Sequence, residues 1–122
     1  MNDEDQEFLI SLQKDFIDET FDLLLKCEEC LLNFEKNFDL SYFQEYMRII
    51  HSIKGSSRAV EFDSIASTIH LIESLGQKSK DHSFVENSLW AIDGIREALE
   101  LIKENKKDEM ESKLALVVSK IK

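Results

Sequence analysis

Apolar residues recur along this chain at spacings of three and four, the signature of helices that bury one stripe. Leu9, Leu12, Phe16, Leu23, Cys27, Cys30 and Phe34 trace such a stripe, widened by Ile10, Ile17, Phe21, Leu24 and Leu31. They predict one long helix from about Asp5 to Phe34. The stretch Lys36-Asn37-Phe38-Asp39-Leu40 breaks the pattern. Ser41, with Gln44 three residues later, has the spacing of a capping box and predicts a second helix running to about Val60. Asp63 is placed to cap a third helix carrying Ile65, Ala66, Ile69, Ile72 and Leu75, weakening near Gly76 and ending in the polar run Gln77 to His82. Ser83 and Glu86 repeat the capping-box spacing ahead of Val85, Leu89, Ile92, Ile95, Leu99 and Ile102. After Glu104 to Lys107, Asp108 is placed to cap a shorter fifth helix with Met110, Leu114, Val117, Val118 and Ile121.

Amphipathic helices joined by short polar loops bury their stripes against each other. The expected fold is therefore all-α, an antiparallel up-and-down four-helix bundle with an additional short C-terminal helix, in a single domain over residues 1–122. Composition agrees. The chain has no proline and three glycines, which leaves helices uninterrupted, and 43% apolar residues supply one core. A monomer is expected, because one bundle can satisfy its own stripes.

Charge narrows the function. With 25 acidic against 15 basic residues the net charge is −10, which argues against general affinity for nucleic acid or an anionic membrane. No apolar run is long enough to cross a bilayer, and the acidic start Met1-Asn2-Asp3-Glu4-Asp5 is unlike a signal peptide, so a cytoplasmic setting is expected. Cys27 and Cys30 lack the second ligand pair a zinc site needs. Glu28 and Glu29 between them disfavour a reactive thiolate, so buried core thiols are expected. Single glycines exclude a phosphate-cradling loop, and the abundant carboxylates read as solvated helix faces. His82 is expected to be solvated in a polar loop.

The chemistry concentrates on the second helix. At 100° per residue, Phe43, Tyr46, Ile50, Ile53, Ser57 and Val60 face the core and His51 lies outside that stripe. Lys54, Gly55 and Arg58, at i+3, i+4 and i+7, share its flank. An imidazole nucleophile, nearby cations and a position without a side chain suit a phosphoryl group. Two readings of Gly55 stand at this point: close packing against a neighbouring helix, or clearance for something outside the chain. On the third helix, Glu73 lies about 40° from Ile69, on the edge of the apolar stripe, where a carboxylate needs a donor. It either joins a local network with His70 and Gln77, or reaches across to His51 and fixes its tautomer.

At His51-Ser52-Ile53-Lys54-Gly55-Ser56-Ser57 the sequence resembles the histidine-containing phosphotransfer (Hpt) family, most closely the N-terminal phosphoacceptor domain of CheA-type chemotaxis kinases. The likeness extends to Met47-Arg48-Ile49-Ile50 before the histidine and to Thr68-Ile69-His70-Leu71-Ile72-Glu73. It implies that His51 is phosphorylated, Lys54 assists the phosphoryl group, Gly55 clears space and Glu73 orients the imidazole. His70 falls where CheA-type domains often carry a histidine. With Gly55, Arg58 and Gln44 it is assigned to the phosphoryl and partner-binding face. The implied partners are the ATP-binding domain of a histidine kinase and a response-regulator receiver. No cofactor or metal is implied, and the chain carries phosphate without kinase activity of its own. Arg58 and Glu61 depart from the small residues the family often has at those positions, which bears on partner choice. The alternative is a helical adaptor that binds a kinase or receiver without carrying phosphate. A free-standing shuttle and the leading domain of a longer kinase both fit.

Overall fold

The computed structural model describes residues 2–121; Met1 and Lys122, the two ends of the expected domain, lie outside the described residues. It contains five helices, α1 (Asp3–Asn37), α2 (Leu40–Ala59), α3 (Asp63–Lys78), α4 (His82–Lys103) and α5 (Lys107–Lys120), with no strand among the described residues. The first four close a ring in which α1 packs on α2 and α4, and α3 on α2 and α4. Helix α5 lies against α4 and α3. Short connections make successive helices antiparallel, as the stripes predict. Phe34, Tyr46, Ile50, Ile53, Ile69, Ile72, Ile92 and Leu99 are buried at the centre.

The helix starts differ from those expected. Asp39, not Ser41, caps α2, accepting from Ser41 N at 2.9 Å and Ser41 Oγ at 2.8 Å. Asp81, not Ser83, caps α4, accepting from Phe84 N at 3.0 Å. In both cases a carboxylate two residues upstream meets the helix's free amides, and its charge adds to the bond. Those bonds hold both carboxyls below the usual aspartate range, the Ser41 amide acting on Asp39 and the Phe84 amide on Asp81. Asp63 and Asp108 lie inside the first turns of α3 and α5 rather than capping them. Consequently His82 is the first residue of α4 rather than a loop residue. Its ring sits edge-on to Phe38 at 5.2 Å, with Nδ1 3.2 Å from Glu35 Oε2.

Cys27 is fully buried and Cys30 half-buried, both as free thiols. Burial, and then the proximity of Cys30 and Glu45, push the Cys27 thiol up to about 12. The pair packs the core, as expected, and is unsuited to thiolate chemistry. The glycines serve different ends. A Cβ on Gly94 would overlap Val117 Cγ2, so α5 sits directly on a bare position of α4. At Gly76 a Cβ would come within 3.1 Å of Met47 Sδ and Phe84 Cε1, so neighbouring side chains close on this bare position, and α3 runs through it to Lys78.

Candidate functional site

Helix α2 exposes a strip formed by Gln44, Arg48, His51, Gly55 and Arg58, while its opposite face enters the core. The His51 side chain is 72% exposed. Across the α2–α3 seam Glu73 points out of the apolar stripe of α3, and its side chain is only 10% exposed. Glu73 Oε2 lies 3.1 Å from His51 Nδ1, and Oε1 lies 2.5 Å from Lys54 Nζ. One buried carboxylate thus bridges the imidazole and the ammonium. Oε1 accepts no well-aligned hydrogen bond, so the Lys54 contact is chiefly one of charge. Of the two readings of Glu73, the reach across to His51 is the one observed. His70 is exposed, and Gln77 lines a groove nearby instead.

Burial alone would raise the Glu73 carboxyl, but the close Lys54 ammonium and the His51 hydrogen bond outweigh it and hold it below its ordinary value of 4.5. Glu73 is therefore an ionised acceptor at neutral pH. An ionised carboxylate can only accept, so Nδ1 carries the ring proton and donates it. The lone pair of the neutral ring then resides on Nε2, on a largely exposed side chain.

Lys54 differs from the expectation of a free cation on the histidine's flank. Its side chain is 13% exposed and turned inward onto Glu73. Arg58 remains exposed with no ion-pair partner among the described residues. Glu61, at φ 64°, takes the left-handed conformation that ends α2 and touches Arg58 through the backbone, Glu61 N donating to Arg58 O at 3.0 Å.

Gly55 has nothing within 4 Å of where a Cβ would stand. No packing inside the chain accounts for it, although a helix-interior glycine costs about 1 kcal/mol relative to alanine. Clearance for something outside the chain is the reading that survives. Gly55→Ala is expected to stabilise the fold by about 1 kcal/mol in chemical denaturation while slowing phosphoryl exchange with protein partners. A variant neither more stable nor slower would contradict both halves.

A groove of about 460 Å³ begins at His51 and runs toward the start of α2, floored by Phe43, Met47 and Gly76 and edged by Gln44, Arg48 and Lys80. The sequence reading placed Gln44 on this face, and the structure brings it to the groove's edge. It missed the groove, because Phe43 reads as core and Gly76 as a helix end. The signal was Gly76 itself, the bare position that lets Phe43 and Met47 lie side by side. Arg48 is held by Glu45 through two bonds, 3.0 Å from Nε and 2.6 Å from Nη2.

An exposed histidine whose Nδ1 meets a buried carboxylate, set on the flank of a helical bundle, has the geometry a phosphotransfer module needs. The Hpt domain family model matches residues 12–105, and the chain belongs to that family. Hpt domains are phosphotransfer modules of two-component signalling that work with kinases and response regulators. No solved structure matches the chain. Among the described residues no helix is long and apolar enough to cross a membrane, and no cluster of histidine, cysteine and carboxylate side chains could hold a metal.

Proposed function

We propose that His51 is the phosphoryl acceptor, taking the group on Nε2 from a histidine kinase bound to ATP and passing it to an aspartate of a response-regulator receiver. The observation that carries this reading is the Glu73 bridge, which holds Nδ1 protonated and leaves Nε2 as the nucleophile. In the first transfer the Nε2 lone pair attacks the γ-phosphorus, the bond to the bridging oxygen breaks and ADP leaves. The ring becomes formally cationic, and Glu73 stabilises that charge through the Nδ1 proton, the role a buried carboxylate plays beside other reactive histidines. In the second transfer a receiver carboxylate oxygen attacks phosphorus, the N–P bond breaks and the ring is neutral again. Lys54 keeps Glu73 in place and has further N–H donors for phosphoryl oxygens. Metal ions and other catalytic carboxylates can come from the partner, since phosphoryl transfer is largely positioning and electrostatics.

Gly55 and the apolar groove beside His51 support docking of a protein on this face. The resemblance around His51 and Glu73 supports a domain of the CheA type acting in the cytoplasm. Incubation with a CheA-type kinase and labelled ATP tests the assignment. Acid-labile, alkali-stable label that His51→Gln abolishes is expected; label that persists in that variant would place the acceptor on another residue, and none with any such kinase favours the adaptor reading instead.

A further inference from the structure

The groove beside His51 has the form of a helix seat. Phe43, Gln44, Met47, Arg48 and His51 stand at i, i+1, i+4, i+5 and i+8 of α2, so the groove follows one face of that helix for two turns, about 12 Å. It is a straight trough. Phe43, Met47 and the bare backbone of Gly76 give it an apolar floor, the kind of surface on which an amphipathic helix lays side chains spaced three and four apart. His51 closes one end.

Its charge is unlike that of the chain as a whole. The protein carries 25 acidic residues and a net charge of −10, yet two cations, Arg48 and Lys80, edge the groove and no carboxylate lines it. Arg48 is offset by Glu45, which holds it through two nitrogens. Lys80 is not offset. It is exposed, its Nζ stands 4.9 Å from the centre of the Phe43 ring, and it has no ion-pair partner among the described residues. A free positive charge therefore lies over the apolar floor.

Phosphoryl transfer puts this surface under a partner, because a protein that brings a reacting atom to Nε2 also covers what lies beside His51. The two partners differ in charge there. A receiver brings an aspartate nucleophile and the carboxylates that hold its metal ion, an acidic surface that a chain of net charge −10 repels unless a local cation meets it. A kinase's ATP-binding domain surrounds a polyphosphate with cations of its own, which Lys80 would oppose. Charge favours the receiver. We infer that the groove is the docking site of a helix of the receiver, whose apolar face rests on Phe43, Met47 and Gly76 and whose flanking carboxylate pairs with Lys80. Lys80 thereby discriminates between the partners, promoting transfer to the receiver without assisting phosphorylation by the kinase. This docking presupposes the transfer proposed for His51, and names which of the two partners covers this side of the histidine.

Transfer from the phosphorylated protein to a receiver that takes label from His51, with labelling by a CheA-type kinase run beside it, tests this. Lys80→Glu is expected to raise the KM for the receiver by about tenfold with kcat little changed, and added salt should lower that KM while raising the wild-type one. Lys80→Arg should keep the wild-type KM. Labelling by the kinase and by phosphoramidate, and the circular dichroism, should be unchanged in both variants. Isotope-labelled methionine methyls report position: the Met47 signal should shift as unphosphorylated receiver is added, and that of Met110, buried on α5, should not. Equal receiver transfer from wild type and Lys80→Glu, a kinase slowed as much as the receiver, or a Met47 signal that ignores the receiver overturns the docking while leaving His51 as the phosphoryl carrier. No label on His51, or none passed to any receiver, would overturn the transfer itself and the docking with it.

Discussion

Glu73→Ala is expected to slow phosphorylation of His51 by about 10- to 100-fold and to destabilise the fold by about 2 kcal/mol. Both effects have one source. The carboxylate fixes the proton on Nδ1 of His51, and it neutralises Lys54, whose ammonium is mostly enclosed at the seam. Removing it frees the imidazole to rotate and change tautomer, and leaves a cation without its partner. Glu73→Gln separates the two. Its amide oxygen can still accept from Nδ1 but carries no charge, so orientation is partly kept while stabilisation of the cationic ring is lost. Labelling rates with phosphoramidate, which needs no docking partner, should fall in the order wild type, Gln, Ala. Equal rates in all three would remove Glu73 from the mechanism.

The same carboxylate carries a pH signature. Its folded-state value is below the ordinary 4.5, so the unfolded chain takes up the proton first. Its contribution is therefore fully present above about 4.5 and is lost as pH falls through the lower folded value. The stability gap between wild type and Glu73→Gln should be constant near neutrality and narrow on acidification. A gap that widens below 4.5 would reverse the sign assigned here.

Gly94→Ala is the second large effect, a net destabilisation of about 2 kcal/mol even though alanine favours a helix by about 1 kcal/mol. The added methyl would overlap Val117 Cγ2, and Val117 is fully buried with a β-branched side chain that has little freedom to turn away. Relief requires α5 to move off α4. In urea the midpoint should drop with little change in slope, whereas Gly55→Ala moves it the other way. Gly94→Ala as stable as the parent would show that α5 does not pack as described. The two glycines look alike in the sequence. One lacks a side chain because a valine occupies the space, the other because the space is left open.

That contrast marks what could be read in advance. His51, Gly55 and Arg58 were placed on one flank by helical period alone, and Glu73 was placed at the stripe's edge the same way, because both depend only on the angle between residues of one helix. The inward turn of Lys54 was not legible, since it depends on how α3 is rotated against α2. The capping residues were missed by two positions at Asp39 and Asp81 because serine and aspartate compete as caps and only the loop path decides which reaches the free amides. That Phe8, Ile10 and Leu12 at the start of α1 stay exposed was invisible for a related reason: Leu9 and Leu12 continue the stripe of Phe16 without a break, and where that stripe runs out of partners depends on where α2 and α4 end.

The central claim is that a buried carboxylate selects the nitrogen that accepts phosphate. The direct test is nitrogen and phosphorus NMR of the ¹⁵N-labelled protein after reaction with phosphoramidate. The account predicts a single phosphohistidine at His51, with phosphorus coupled to Nε2 and a protonated Nδ1. Phosphorus on Nδ1 of His51, or on His70 or His82 instead, would contradict it.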